Sequence, residues 1–420
     1  MAQLISTELA GRLYETLQTE KYATGKTHNF YHYPARFHPD VAKAVIEHLS
    51  APDDYVLDPF MGGGTAIVEG LALGRRMVGT DINALARFVA DVRTTPLSAH
   101  DTAELRCWAL HCAEALPHEP TESLAADISV PNLPSAVQMF VAGGLRATQT
   151  HLSLPRQRAF ARCALLRLGQ WALDCRDFAA PRRKRLAEEL PRLLEEMLAG
   201  MEEFVEACRA SGVRRNKITA RRRLLHRTAV GIDEDRDLQA LEVKPKLVFT
   251  SPPYPAVHVL YHRWQYRGRR ETSAPFWIAG VKDGHGGAFY TAGSRTPTGL
   301  RNYFATIKAA FRSVRGIIDS SAFVVQLVGF SDPVEQLPLY LHAMTEAGFA
   351  ELPLDHPGGT RLRRRVANRK WYAKLQERDD AACEILLIHR PAPVEEPFRT
   401  VEETRKNPVG LVETGTPTAN

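Results

Sequence analysis

The sequence predicts a Rossmann-like α/β fold, a doubly wound sheet with helices on both faces, on three observations. Tyr55 to Asn83 reads as strand, glycine turn, helix and strand. A second apolar run, Leu247–Thr250, lies far downstream and leads into Ser251-Pro252-Pro253-Tyr254. The 420 residues are 44% hydrophobic, enough for a large core, without the run of about 18 apolar residues that a spanning helix needs.

The first unit can be justified residue by residue. Tyr55-Val56-Leu57 suits a strand buried on both faces, and Asp58-Pro59-Phe60 ends it. Gly62, Gly63 and Gly64 let the backbone turn sharply and lie close to a ligand. Thr65 opens a helical pattern with Ile67, Val68 and Leu71 on one side, which Gly74 ends. Met77 to Thr80 is the second strand, with Asp81 and Ile82 at its tip. An acid about 20 positions after a glycine loop is where a ribose hydroxyl pair is held. The unit therefore reads as a nucleoside-binding βαβ half.

Together the two motifs resemble the amino-methyltransferases of DNA, which carry Asp-Pro-Phe-x-Gly-x-Gly-Thr and (Ser/Asp/Asn)-Pro-Pro-Tyr. The resemblance covers roughly residues 26–98 and 228–392. It implies a class I methyltransferase sheet with a closing antiparallel strand pair, and S-adenosyl-L-methionine as cofactor. The cofactor set it implies is Asp58, Pro59, Phe60, Gly62, Gly64, Thr65, Asp81 and Ile82. Arg36 and Phe37 join it, because a Pro-x-x-Phe-x-Pro segment covers the methionine end of the cofactor in that family. An acid after a third strand accepts from the cofactor's adenine amine. That strand is expected at 227–232, and Asp233, Glu234 and Asp235 compete for the role, with Asp235 entered in the set.

The second motif carries the chemistry. An exocyclic amine on a base is a poor nucleophile, because its lone pair is delocalised into the ring. Acceptors that hold its N–H groups free that lone pair. The Ser251 hydroxyl and the Pro252 carbonyl, fixed by Pro252 and Pro253, supply such acceptors. Tyr254 is expected to stack on a base swung out of the duplex. No cysteine follows the prolines, so a covalent route through cytosine C5 is not expected. Ser in first position is commoner among cytosine-N4 enzymes of the family. Adenine N6 and RNA guanine N2 are the alternatives, and a catalytically silent nucleic-acid-binding module is the reading from another class.

Charge placement points to the partner. Net charge is only +6, yet residues 254–315 carry a net +8, and 213–227 and 361–374 each hold seven Lys/Arg and no acid, leaving −16 on the remainder. Such polarisation suggests a polyanion, here DNA. Arg263, Trp264, Arg267, Arg269 and Arg270 interleave arginine with aromatics after the second motif. Arg363, Arg365 and Arg369 lie in a basic loop near the C-terminus. All eight are candidate DNA contacts, with phosphate pairing and base stacking as the chemistry. A cognate restriction or defence protein is a further partner that the family suggests.

The remaining elements follow in order. Residues 1–24 suit an amphipathic helix, and Pro39 opens another with Val41, Ala42, Val45, Ile46 and Leu49 on one face. Residues 1–98 form the cofactor half, 99–225 a helical insertion, 226–392 the catalytic half, and 393–420, rich in Pro, Glu and Thr, a disordered tail. In the insertion, Leu190 to Val205 carries an apolar stripe, with Pro191 expected to kink it. Helices over 302–314 and 337–347 frame a strand at 322–329, and strands at 349–354 and 384–389 close the sheet. Six scattered cysteines without Cys-x-x-Cys, and an N-terminus without a signal-peptide pattern, lead us to expect a reduced cytoplasmic setting. Neither the three histidines of 27–39 nor the His258/His262 pair has a full ligand set, so no metal is expected.

Overall fold

The computed structural model describes residues 7–18, 24–32, 37–120, 130–255, 264–268, 270–282, 284, 293–294, 296–354, 356–357, 359–365 and 383–392. Two helices lead in: α1 (Thr7–Leu17) and α2 (Pro39–Leu49), the latter with Pro39 in its first turn and the His38 ring accepting from the Asp40 N–H. Then come β1 (Tyr55–Asp58), α3 (Thr65–Ala72), β2 (Arg76–Asp81) and α4 (Ala84–Arg93). Helices α5 (Ala99–Ala115), α6 (Ser135–His151), α7 (Pro155–Leu173) and α8 (Arg183–Ala210) follow, with no strand between them among the described residues. Helix α8 runs through Pro191 for 28 residues, burying Leu190, Leu193, Leu194, Met197, Met201 and Phe204 along one side.

The chain returns to the sheet as β3 (Arg222–His226), passes through a one-turn helix α9 (Arg236–Gln239), and forms β4 (Leu247–Thr250). A small hairpin, β5 (Trp264–Tyr266) with β6 (Arg270–Thr272), leads to α10 (Ala274–Ala279). The last part is α11 (Pro297–Ile317), β7 (Phe323–Gly329), α12 (Pro333–Glu346), β8 (Phe349–Glu351), β9 (Leu362–Arg365) and β10 (Cys383–Pro391).

The main sheet runs β3-β2-β1-β4-β7-β10-β8, with β9 beside β10. Strands β3, β2, β1, β4 and β7 are parallel, and β10 enters antiparallel between β7 and β8. This is the doubly wound class I methyltransferase sheet with its closing antiparallel pair. Alternate residues serve opposite faces. Val56, Met77, Leu247, Phe249, Val325 and Leu327 pack with α2–α4 and the helices of 99–210, while Leu57, Val78, Val248, Val324 and Val328 pack under α11 and α12. The inserted helices thus share one continuous core with the sheet.

Three expectations need correction. The third strand is Arg222–His226, not 227–232. Its Arg222 and Arg223 side chains pair at the sheet edge with Asp91 and with the Asp237 carbonyl, so a run that looks like a solvated basic face is strand. Residues 362–365, expected in a loop, pair antiparallel with β10. Residues 255–299, which read from the sequence as a long segment without a regular element between strand and helix, contain a hairpin and a helix. The tail 393–420 lies outside the described residues.

Candidate functional site

Strand order reverses between β1 and β4, since the chain moves from β1 outward to β3 and then back across β1 to β4. In such sheets ligands bind beyond the carboxyl ends of the strands at this switch point. Asp58 ends β1 there and Thr250 ends β4, and the Thr250 hydroxyl donates to Asp58 Oδ1 at 2.6 Å. The two motifs, 192 residues apart in sequence, are therefore joined by one buried hydrogen bond.

The Phe60 N–H also donates to Asp58 Oδ1, at 3.2 Å, while Oδ2 is buried with no hydrogen-bond partner. Burial pushes the Asp58 carboxyl up to about 7, and the nearby Asp81 charge adds to the rise. Asp81 is likewise raised, to about 6, chiefly by burial. Its Oδ2 accepts from the Gly62 N–H at 2.9 Å and its Oδ1 from the Asn83 N–H at 2.8 Å. Each oxygen keeps a second lone pair for a ligand hydroxyl. Beside it Ile82 presents an apolar side chain that is 37% exposed.

The glycines explain the loop's shape. Gly62 and Gly64 have positive φ, 48° and 79°, a region that side chains other than glycine's rarely adopt. A Cβ on Gly64 would meet Ala90 Cβ at 2.9 Å, so α3 and α4 pack against it, whereas a Cβ on Gly62 would meet nothing within 4 Å. The space over Gly62 is open to a ligand. Pro59 and Thr65 are buried at the two ends of the turn, and Phe60 is half-buried with its ring 6.2 Å from that of Phe311.

An arginine not anticipated from the sequence anchors this loop. Arg93, fully buried at the end of α4, donates to the Gly63 carbonyl and to the carbonyls of His28 and Tyr31. It ties the glycine turn to the lead-in segment. The sequence signal was slight, since an arginine at a helix C-terminus usually faces solvent.

After β4, Ser251 and Pro253 are partly exposed, and Pro252 and Tyr254 are buried. The Tyr303 hydroxyl of α11 donates to the Pro253 carbonyl at 2.9 Å and holds the turn. Tyr254 departs from expectation. Its ring is 5% exposed and packs over Gly329 of β7, where a Cβ would come within 2.9 Å of it. Its hydroxyl donates to Glu384 Oε1 at 2.7 Å and receives the Ser251 hydroxyl at 3.3 Å. So little exposed surface leaves no ring face for a base to stack on.

Other candidates divide by placement. Phe37 is buried with its ring 4.6 Å from that of Phe249, so it serves core packing. Asp235 caps α9 by accepting from the Asp237 and Leu238 N–H groups and pairs with Arg227 at 2.8 Å, so both its oxygens are engaged within residues 227–238. Trp264 is a correction: it is 1% exposed, its ring against Gly169 of α7 and its indole N–H donating to the Tyr31 hydroxyl. Arg267 and Arg270 are exposed at the turn of the hairpin. Arg363 is exposed on β9, which also contains Arg365. Arg36, Arg263, Arg269 and Arg369 lie outside the described residues.

The basic window 213–227 is largely satisfied within the fold. Arg215, Arg221, Arg222 and Arg227 pair with Glu202, Asp53, Asp91 and Asp235. Among the described residues no group of His, Cys, Asp and Glu has the arrangement of a metal site, and no helix is long and apolar enough to cross a membrane.

The strand order is that of the doubly wound class I methyltransferase fold. A family model described as DNA methylase, of the N6/N4 methyltransferases, matches residues 6–87. Type II methyltransferase M.MvaI of Kocuria varians is 43% identical over 74 residues, 17% of this chain and 16% of that protein. Type II methyltransferase M.MjaII of Methanocaldococcus jannaschii is 29% identical over 90 residues, 21% of this chain and 16% of that one. The N-terminal stretch is thus similar to amino-methyltransferases of DNA, and it spans about a sixth of each relative's length. Overlap with solved structures is loose. The rRNA methyltransferase AviRa from Streptomyces viridochromogenes gives a TM-score of 0.31 at 10% identity, covering 90% of this chain and 96% of that one. TrmN from Thermus thermophilus gives 0.29 at 11%, covering 84% and 49%. The fold assignment rests on this chain's own strand order.

Proposed function

We propose that the protein is an S-adenosyl-L-methionine-dependent methyltransferase acting on the exocyclic amine of a base in DNA, with cytosine N4 as the target. The observation that carries this reading is the Thr250–Asp58 hydrogen bond of 2.6 Å. It sets the Ser-Pro-Pro turn directly beside the glycine loop, so that a ligand over the loop and a base at the turn meet.

The residues present fit the cofactor. A buried carboxylate, Asp58, and a half-buried one, Asp81, both with raised pKa values, and an orphaned Asp58 Oδ2 make a site that gains from a cationic ligand. Bound there, the cofactor supplies an electrophilic methyl group on a positively charged sulfur. Asp81 would hold the ribose hydroxyls on its remaining lone pairs, and Ile82 would lie against the adenine. Gly62 and Gly64 allow close backbone approach. Ser251 and the Pro252 carbonyl accept from the amine N–H groups, orient the nitrogen lone pair and so permit direct displacement. Arg267, Arg270 and Arg363 meet phosphates, and Arg36, Arg263, Arg269, Arg365 and Arg369 extend the set. The preference for cytosine N4 rests on serine in the first position of the motif. A cognate restriction enzyme is the partner that this reading suggests.

The test is transfer of tritiated methyl groups from the cofactor to genomic DNA from a strain lacking methylases. Label retained on DNA and insensitive to ribonuclease supports the proposal. Label confined to RNA, or none, refutes it.

A further inference from the structure

A serine hydroxyl both donates and accepts. To activate an amine it must accept, so its own proton has to be directed elsewhere. The structure supplies the means. Ser251 Oγ donates to Tyr254 Oη at 3.3 Å, and Tyr254 Oη donates to Glu384 Oε1 at 2.7 Å, a bond buried from solvent. Arg364 of β9 stands 3.6 Å from Glu384 Oε2. Glu384 and Arg364 are opposite one another in the β10–β9 register, and Glu384 is also opposite Gly329 of β7, the residue under the Tyr254 ring.

We infer that Glu384, through Tyr254, is a positioning residue that fixes the direction of the Ser251 hydroxyl and so selects an amine as the reacting group. The inference rests on the amine-transfer reading above and adds a residue from the closing strand pair to it. An ionised carboxylate has acceptors only. Tyr254 must therefore give its proton to Glu384, which leaves its oxygen to receive from Ser251. The Ser251 lone pairs are then left for the substrate, and they match an N–H donor and oppose a carbonyl oxygen.

The same chain carries the surplus proton. As the amine nitrogen forms its bond to the methyl carbon, the carbon–sulfur bond breaks and its electron pair stays on sulfur, leaving a neutral thioether. The nitrogen, now positive, passes one proton to Ser251 Oγ. The Ser251 proton moves to Tyr254 Oη, and the Tyr254 proton to the Glu384 carboxylate. Charge and atoms balance with no further reactant.

A double-mutant cycle tests this. Single-turnover rates with tritiated cofactor and methylase-free genomic DNA are compared for wild type, Ser251→Ala, Tyr254→Phe, Glu384→Gln and the Ser251→Ala pairs with each of the others. Tyr254→Phe keeps the ring over Gly329, and Glu384→Gln keeps side-chain volume, so either serves if the other misfolds. Each single variant is expected to slow transfer roughly 10- to 100-fold, in the range of a lost acid–base group. Cofactor affinity by calorimetry should stay within about twofold, because the chain faces the base. Each double variant should be no slower than Ser251→Ala alone, since Tyr254 and Glu384 act through that hydroxyl. Effects that multiply, or wild-type rates in Tyr254→Phe, overturn the inference. If the wild type itself labels no DNA, the amine-transfer reading fails and takes the inference with it, a result distinguishable from multiplying effects in an active enzyme.

Discussion

Asp58→Asn is expected to stabilise the ligand-free protein while weakening cofactor binding, with a pH dependence that follows from the site. Asp58 is fully buried, with one oxygen orphaned, and titrates near 7 rather than at the usual 3.8. Between those values the folded chain keeps a proton that the unfolded chain has released, so wild-type stability falls as pH rises from about 4 to 7. A difference of about 3 pH units at about 1.36 kcal/mol each sets an upper bound near 4 kcal/mol. Asparagine keeps the acceptor for Thr250 and Phe60 and carries no charge. The variant's advantage should therefore grow from about 1.5 kcal/mol at pH 5 toward about 4 kcal/mol at pH 8. Urea unfolding of both proteins at the two pH values measures it, and calorimetry at pH 8 measures cofactor affinity, which should fall. A stability difference that stays flat with pH, or undiminished affinity, would refute the assignment of Asp58 as the buried charge awaiting a cationic ligand.

Three further outcomes are expected. Asp81→Ala removes the acceptor for the Gly62 and Asn83 N–H groups and, on the proposed reading, the ribose partner. It should cost roughly 1.5–3 kcal/mol of cofactor binding, and unchanged calorimetric affinity would displace the ribose from β2. Ser251→Ala should slow single-turnover transfer with cofactor affinity nearly intact, and a wild-type rate would leave the Pro252 carbonyl as the working acceptor. Arg267→Ala/Arg270→Ala, at the exposed hairpin turn, should weaken binding to all DNA sequences and flatten the slope of log affinity against log salt by up to about 2. An unchanged slope with lost thermal stability would make these arginines structural.

The legible part of this protein was local. The strand–glycine loop–helix–strand of 55–83 is read directly because its strand is apolar throughout, its glycines require positive φ, and its acid stands at a strand tip. Ser251 is singled out because an apolar strand runs into Ser-Pro-Pro-Tyr. The structure differed where a residue's role depends on partners distant in sequence. Trp264 looks like a stacking aromatic among arginines, yet its partners are Gly169 and Tyr31, 95 and 233 residues away. Arg222 and Arg223 read as part of a basic face because the carboxylate and carbonyl that meet them come from other elements. Arg93 and Glu384 were missed for the same reason. Charged residues at a helix end and a strand start give no local sign that folding will bury them beside a loop carbonyl or a tyrosine hydroxyl.

The central claim is that this site transfers a methyl group to the amine of a base in DNA. Nucleoside mass spectrometry of DNA incubated with the protein and isotope-labelled cofactor tests it most directly. The account predicts labelled N4-methylcytosine, formed more slowly by Ser251→Ala. Labelled 5-methylcytosine, or DNA without any labelled nucleoside, would contradict it, and labelled N6-methyladenine would keep the amine chemistry while overturning the choice of base.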